Sequence, residues 1–115
     1  MFQARWTPRA TLEYQELQRQ TKKARESRHS SGKEKSSRQE GLFKQVHKAV
    51  RLLLGNPKHP GLQTHAYHSL TSPFGKNAKV FEAYVQNRTP GAYRIFWCYG
   101  PGKREITILA ITPHP

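Results

Sequence analysis

The sequence predicts an α+β domain: an N-terminal strand, two helices, then an antiparallel meander of three to four strands. Three observations predict it. Residues Gln39 to Gly55 carry apolar side chains at helical spacing. The last third of the chain falls into three alternating stretches separated by turns containing glycine and proline. The first residues alternate apolar with polar until a proline stops them. Strand, helix, helix and meander in that order suit helices packed on one face of a sheet.

In Phe2 to Thr7, the apolar Phe2, Ala4 and Trp6 alternate with Gln3, Arg5 and Thr7, which reads as a strand. Thr7 suits a helix N-cap and Pro8 the first helical position. The helix that follows has a thin apolar stripe of Ala10, Tyr14 and Leu17, running on to Thr21 and Ala24. From Lys22 to Arg38 the only aliphatic residue is Ala24, against seven basic residues, two acidic ones and five serines. Such a stretch cannot repay its ordering entropy by burial, so residues of about 25–38 are expected to be a basic, flexible segment able to track phosphates.

The second helix, Gln39 to Gly55, presents Leu42, Val46, Ala49 and Leu53 as one stripe, broadened by Phe43, Val50 and Leu54. Gly55 fits its C-cap and Pro57 stops it. Thr64 to Leu70 is expected to hold a short strand. Lys79 to Gln86, Ala92 to Tyr99 and Arg104 to Thr112 are the meander, joined by a turn over 87–91 and a tighter one at Gly100–Lys103.

A five-residue turn between the first two meander strands sets Tyr84 opposite Arg94, Glu82 opposite Phe96 and Phe81 opposite Trp97. One face then carries Phe81, Ala83, Val85, Tyr93, Ile95 and Trp97, continued by Ile106, Ile108 and Ala110, and should pack on the helices. The other face carries Glu82, Tyr84, Gln86, Arg94, Phe96, Cys98, Glu105, Thr107 and Leu109. A face so mixed in character, left open on a basic protein, is a candidate binding surface.

The 115 residues suffice for a single domain, 1–115. The charge is lopsided, 20 Lys plus Arg against 7 Glu, for a formal +13. A compact state tolerates this best with a polyanionic partner. One cysteine, Cys98, excludes an internal disulfide and suits a reducing compartment. No secretory leader and no membrane span is legible, so a cytoplasmic location is expected. His59, His65 and His68 match no zinc spacing, and neither a metal nor a cofactor is expected.

The ordered set now described resembles the RelE/ParE toxin superfamily. The residues that carry the resemblance are the helix Leu42 to Leu54 with its Asn56-Pro57 stop, then Val80-Phe81-Glu82-Ala83-Tyr84, then Ala92-Tyr93-Arg94-Ile95-Phe96-Trp97, then Ile106 to Ile111. In motif detail the resemblance covers about residues 39–115. It implies a RelE-like fold and a toxin of a type II toxin–antitoxin module. The reaction implied is metal-independent cleavage of ribosome-bound mRNA, which inhibits translation. The partners implied are mRNA on the ribosome and an acidic antitoxin that covers the open sheet face, in a hetero-oligomer.

By that resemblance Arg94 binds the reacting phosphate, Glu82 is a general base on the ribose 2′-OH, and His114 is a general acid. Tyr84 stacks or donates a proton. Lys79, Phe96, Lys103 and Arg104 are the candidate RNA contacts. Relatives often carry lysines where this chain has Glu82 and Tyr84. Strict alternation also puts position 114 on the core side of the sheet, away from Arg94. The same residues have ordinary roles open to them: Arg94 as a cross-strand partner of Tyr84 or Glu82, Phe96 as packing. Two rival functions share the fold, a ParE-like poison of DNA gyrase and a non-catalytic RNA-binding protein.

Overall fold

A computed structural model describes residues 1–32, 38–86 and 91–113. Strand β1 (Gln3–Trp6) leads into helix α1 (Pro8–Ser30), followed by helix α2 (Arg38–Gly55) and one turn of 3-10 helix over Pro60–Leu62. Strands β2 (His65–Tyr67), β3 (Val80–Tyr84), β4 (Tyr93–Tyr99) and β5 (Glu105–Pro113) complete a five-stranded sheet in the order β1-β5-β4-β3-β2. Strand β1 is parallel to β5, and the other neighbours are antiparallel.

The start of α1 is built as its sequence suggests. The Thr7 hydroxyl accepts from the Ala10 N–H at 3.1 Å, and it also donates to the Leu109 carbonyl at 2.9 Å. Thus one side chain caps the helix and ties it to β5. Ala10, Leu17 and Thr21 are the buried stripe of α1, and the Thr21 hydroxyl is satisfied by the Leu17 carbonyl. The helix does not stop there. Residues 25–30, expected to be flexible, are its last turns, because Glu40 at the start of α2 is buried and pairs with Arg28 at 3.1 Å and Arg25 at 3.9 Å. Residues 33–37 of that segment lie outside the described residues.

The register expected between β3 and β4 is the one observed, with Tyr84 opposite Arg94, Glu82 opposite Phe96 and Phe81 opposite Trp97. The helices pack on the face that carries Ala83, Ile95, Trp97, Ile106 and Ile108. One expectation fails. Phe96 pairs with Ala110 but Trp97 pairs with Ile108, so Leu109 is an extra residue in β5. Beyond this bulge the sidedness reverses. Ile111 enters the core, and Ala110 lies opposite Phe96 on the second face.

The second face is not open either. Residues 68–79, between β2 and β3, lie across it. The Ser72 hydroxyl donates to the Cys98 sulfur at 3.8 Å and accepts from the Phe74 N–H. Tyr67 packs on Phe96 with ring centroids 4.7 Å apart. Leu70, Thr71 and Pro73 reach Leu109 and Thr7 around a cavity of about 310 Å³. Phe96 and Cys98 are buried beneath this covering, and Glu82 and Arg94 on the same face are buried too.

Candidate active site

Strand β2 is three residues long, and its approach is shaped by Gln63. This residue ends the 3-10 turn in the left-handed region, φ 47°, and redirects the chain along the edge of β3. His65 then falls opposite Glu82. Its Nε2 lies 2.7 Å from Glu82 Oε1, and its Nδ1 lies 3.0 Å from the Gln63 carbonyl. Both ring nitrogens face acceptors. Only the doubly protonated ring can donate to both. The histidine side chain is 47% exposed and the glutamate 2%, so the imidazole stands between a buried carboxylate and solvent.

Two positions along β3, the Tyr84 ring meets His65 edge-on at 5.6 Å and covers the Arg94 guanidinium carbon at 3.9 Å. Cross-strand pairing of Tyr84 with Arg94 produces this stack. Arg94 donates from one terminal nitrogen to the carbonyls of Tyr93 at 3.0 Å and Gln86 at 3.3 Å. Its Nε is buried without a hydrogen-bond partner. Four groups that handle protons and negative charge thus share one sheet face: His65, Glu82, Tyr84 and Arg94.

Of the residues expected at the site, Arg94, Glu82 and Tyr84 come together. Phe96 does not serve as a stacking platform, because it is 2% exposed and its ring is taken by Tyr67. Lys79, Lys103 and Arg104 are exposed, but the antiparallel register puts them at the other end of the sheet from Arg94. His114 lies outside the described residues. The parity objection to it rested on strict alternation, which the bulge at Leu109 breaks: Thr112 pairs with Arg94. The sequence puts His65 in a short strand over Thr64 to Leu70 but offers no partner for it. The alternation around it was legible, but twelve residues separate β2 from β3, and no turn rule fixes a register across so long a connection.

The electrostatics favour an anion. From Lys58 to Arg104 there is one carboxylate, Glu82, against seven Lys and Arg. Elsewhere Glu105 pairs with Arg5, Glu13 with Arg9, Glu16 with Arg19 and Glu40 with Arg28. On the same face, burial pushes the Cys98 thiol above its ordinary range, opposed by its bond to Ser72. That thiol is packing rather than a nucleophile. Among the described residues no three metal-ligating side chains gather. His59 accepts from the Gly61 N–H, and His68 lines a separate cavity.

No protein-family model matches the chain, and no curated protein matches its sequence. Two solved structures match its shape. A YoeB/ParE toxin from Agrobacterium tumefaciens superposes with a TM-score of 0.62 over 98% of this chain and 99% of its own, at 10% identity. The archaeal RelE–RelB complex from Pyrococcus horikoshii OT3 gives a TM-score of 0.56 over 97% and 93%, at 11% identity. The fold is that of the RelE/ParE toxins. Within this RelE/ParE fold the four-residue cluster occupies the sheet face turned away from the helices. No helix among the described residues is long and apolar enough to cross a membrane.

Proposed function

We propose that this chain is a toxin that cleaves mRNA on the ribosome without a metal, and that an acidic antitoxin restrains it. The observation that carries the proposal is the His65–Glu82 pair beside Arg94 and Tyr84. It supplies an acid, a base and a cation on one face of the toxin fold. The ribose 2′-OH attacks the adjacent phosphorus as its proton passes to Glu82. His65, its Nε2–H turned from Glu82 to the substrate, donates that proton to the departing 5′ oxygen. The products are a cyclic phosphate and a 5′-hydroxyl. The pair then resets itself, since the proton gained by Glu82 can return to His65 along their 2.7 Å contact.

Arg94 stabilises the anionic phosphorane, and its unpartnered Nε and its second terminal nitrogen are donors for phosphate oxygens once Tyr84 turns aside. Lys79, beside the Val80–Tyr67 pair, holds the strand near His65, and Lys103 and Arg104 hold more distant parts. The role assigned to His114, proton donor to the leaving group, passes to His65 among the described residues.

The test is expression of the chain in cells, with mapping of mRNA 5′ ends and of growth. Cleavage within coding regions, lost in His65→Gln and Glu82→Gln at equal soluble yield, is the expected result. Gyrase-linked DNA breaks without mRNA cleavage would replace this reading with the gyrase one. Unchanged cleavage in both variants would show the site to be elsewhere.

A further inference from the structure

Residues 68–79 do more than roof the second face. Together with Tyr67 and Val80 they enclose a cavity of about 230 Å³. Its walls include His68, Lys76 and Lys79, all exposed at the rim, and the hydroxyl-bearing Thr71. None of the lining residues is acidic. Neither lysine forms an ion pair among the described residues. Two exposed lysines lining one cavity, with no acidic residue beside them, give it a positive potential that suits an anion.

The cavity also has a place relative to the cluster. Tyr67 pairs with Val80, and His65 pairs with Glu82, two residues along the same two strands. At about 3.3 Å per residue the separation is roughly 7 Å. The loop is held in place from below, by Ser72 on Cys98 and by turns closed between Gly75 and Ser72 and between Ala78 and Gly75.

We infer that this cavity is an anion subsite that holds a backbone phosphate of single-stranded RNA, neighbouring the phosphate at His65. The inference rests on the ribonuclease reading and adds to it the track along which the strand lies: over Tyr84 and His65, then past Tyr67 to Lys76 and Lys79. Each phosphate neutralised there releases counterions, so the subsite contributes to the salt dependence of binding.

The experiment is binding of a short, fluorescent single-stranded RNA carrying 2′-O-methyl riboses, which resist this cleavage. Affinity is measured over a range of salt for the unaltered chain, for Lys76→Gln with Lys79→Gln, and for Lys44→Gln with Arg51→Gln. The last pair removes the same charge from exposed positions on α2, in the helix layer. The cavity pair should weaken binding by about tenfold and reduce the salt slope by roughly 1.4, two single-strand contacts, while the α2 pair changes both little. Equal losses in the two double variants, no loss in the cavity pair, or no binding by the unaltered chain would overturn the subsite. Cleavage assays on His65→Gln separate this from the reading beneath it. If that variant loses cleavage while the cavity pair binds normally, the ribonuclease reading stands and the subsite falls.

Discussion

Arg94 shows how burial changes the meaning of a residue. Sequence parity alone puts it on a face not used by the core, where its replacement would leave folding untouched. In the structure it is 4% exposed, bonded to two carbonyls and stacked under Tyr84. Arg94→Lys keeps the charge but loses the planar fork. It should cut cleavage at least about tenfold, or roughly 1.4 kcal/mol of transition-state stabilisation. It should also lower the melting temperature, which the surface reading does not require. Calorimetry beside single-turnover cleavage measures both. His65→Gln should differ. Its side chain is half exposed and a glutamine amide can still donate to Glu82, so stability should fall less than in Arg94→Lys while the cleavage rate falls by roughly 10²–10⁴, the usual contribution of positioned proton transfer. A His65→Gln chain that cleaves at the original rate would remove the imidazole from the chemistry. Cys98 gives a simpler check. With its thiol buried and its pKa raised, it should react with a thiol reagent at pH 8 far more slowly in the folded chain than in urea.

At the scale of elements, the contact between α1 and the end of the sheet should be sensitive to alkali. Burial raises the Tyr14 phenol, and burial followed by the nearby Glu13 raises that of Tyr93. A phenol raised in the folded state is still protonated when its unfolded counterpart has ionised. The unfolded chain then binds fewer protons, and stability falls as pH rises beyond about 10. Tyr93→Phe should flatten that decline in a urea titration series at pH 9 to 11. At the other end of the helices, Glu40→Ala should release Arg25 and Arg28, and amide exchange over residues 22–30 should quicken before the rest of the fold is affected. These elements also mark what the sequence makes legible. The N-cap at Thr7, the span of α2 and the β3–β4 register follow from local rules of capping, helical period and turn length. The persistence of α1 to Ser30 does not, because it depends on a glutamate in the next helix. Nor does the bulge at Leu109, since an inserted residue in a run of alternating apolar side chains leaves no mark on composition. Of the site, Arg94, Glu82 and Tyr84 were legible through their strand pairing. His65 and the covering loop were not, because both depend on a long connection folding back over the sheet.

For the whole molecule, the formal charge of +13 acts on stability as well as on binding. Most described carboxylates are already paired, so the remaining cations act mainly on one another. Screening that repulsion should stabilise the fold. Raising sodium chloride from about 20 to 200 mM shortens the Debye length to below roughly 10 Å, and the melting temperature should rise while RNA affinity falls. A melting temperature that falls with salt would mean that attractive pairs outweigh the repulsion. Topology has a consequence of another kind. Strand β1 pairs with β5, Gln3 with Glu105, across nearly the whole chain. Arg94 also needs β5, since Thr112 is its neighbour there. A ribosome making this protein therefore emits β1, both helices and β3 well before the strand that closes the sheet. Pairings so distant in sequence form late and slowly. The nascent chain therefore carries Glu82 and His65 before it carries an assembled cluster, and the four groups come together only after β5 has been made.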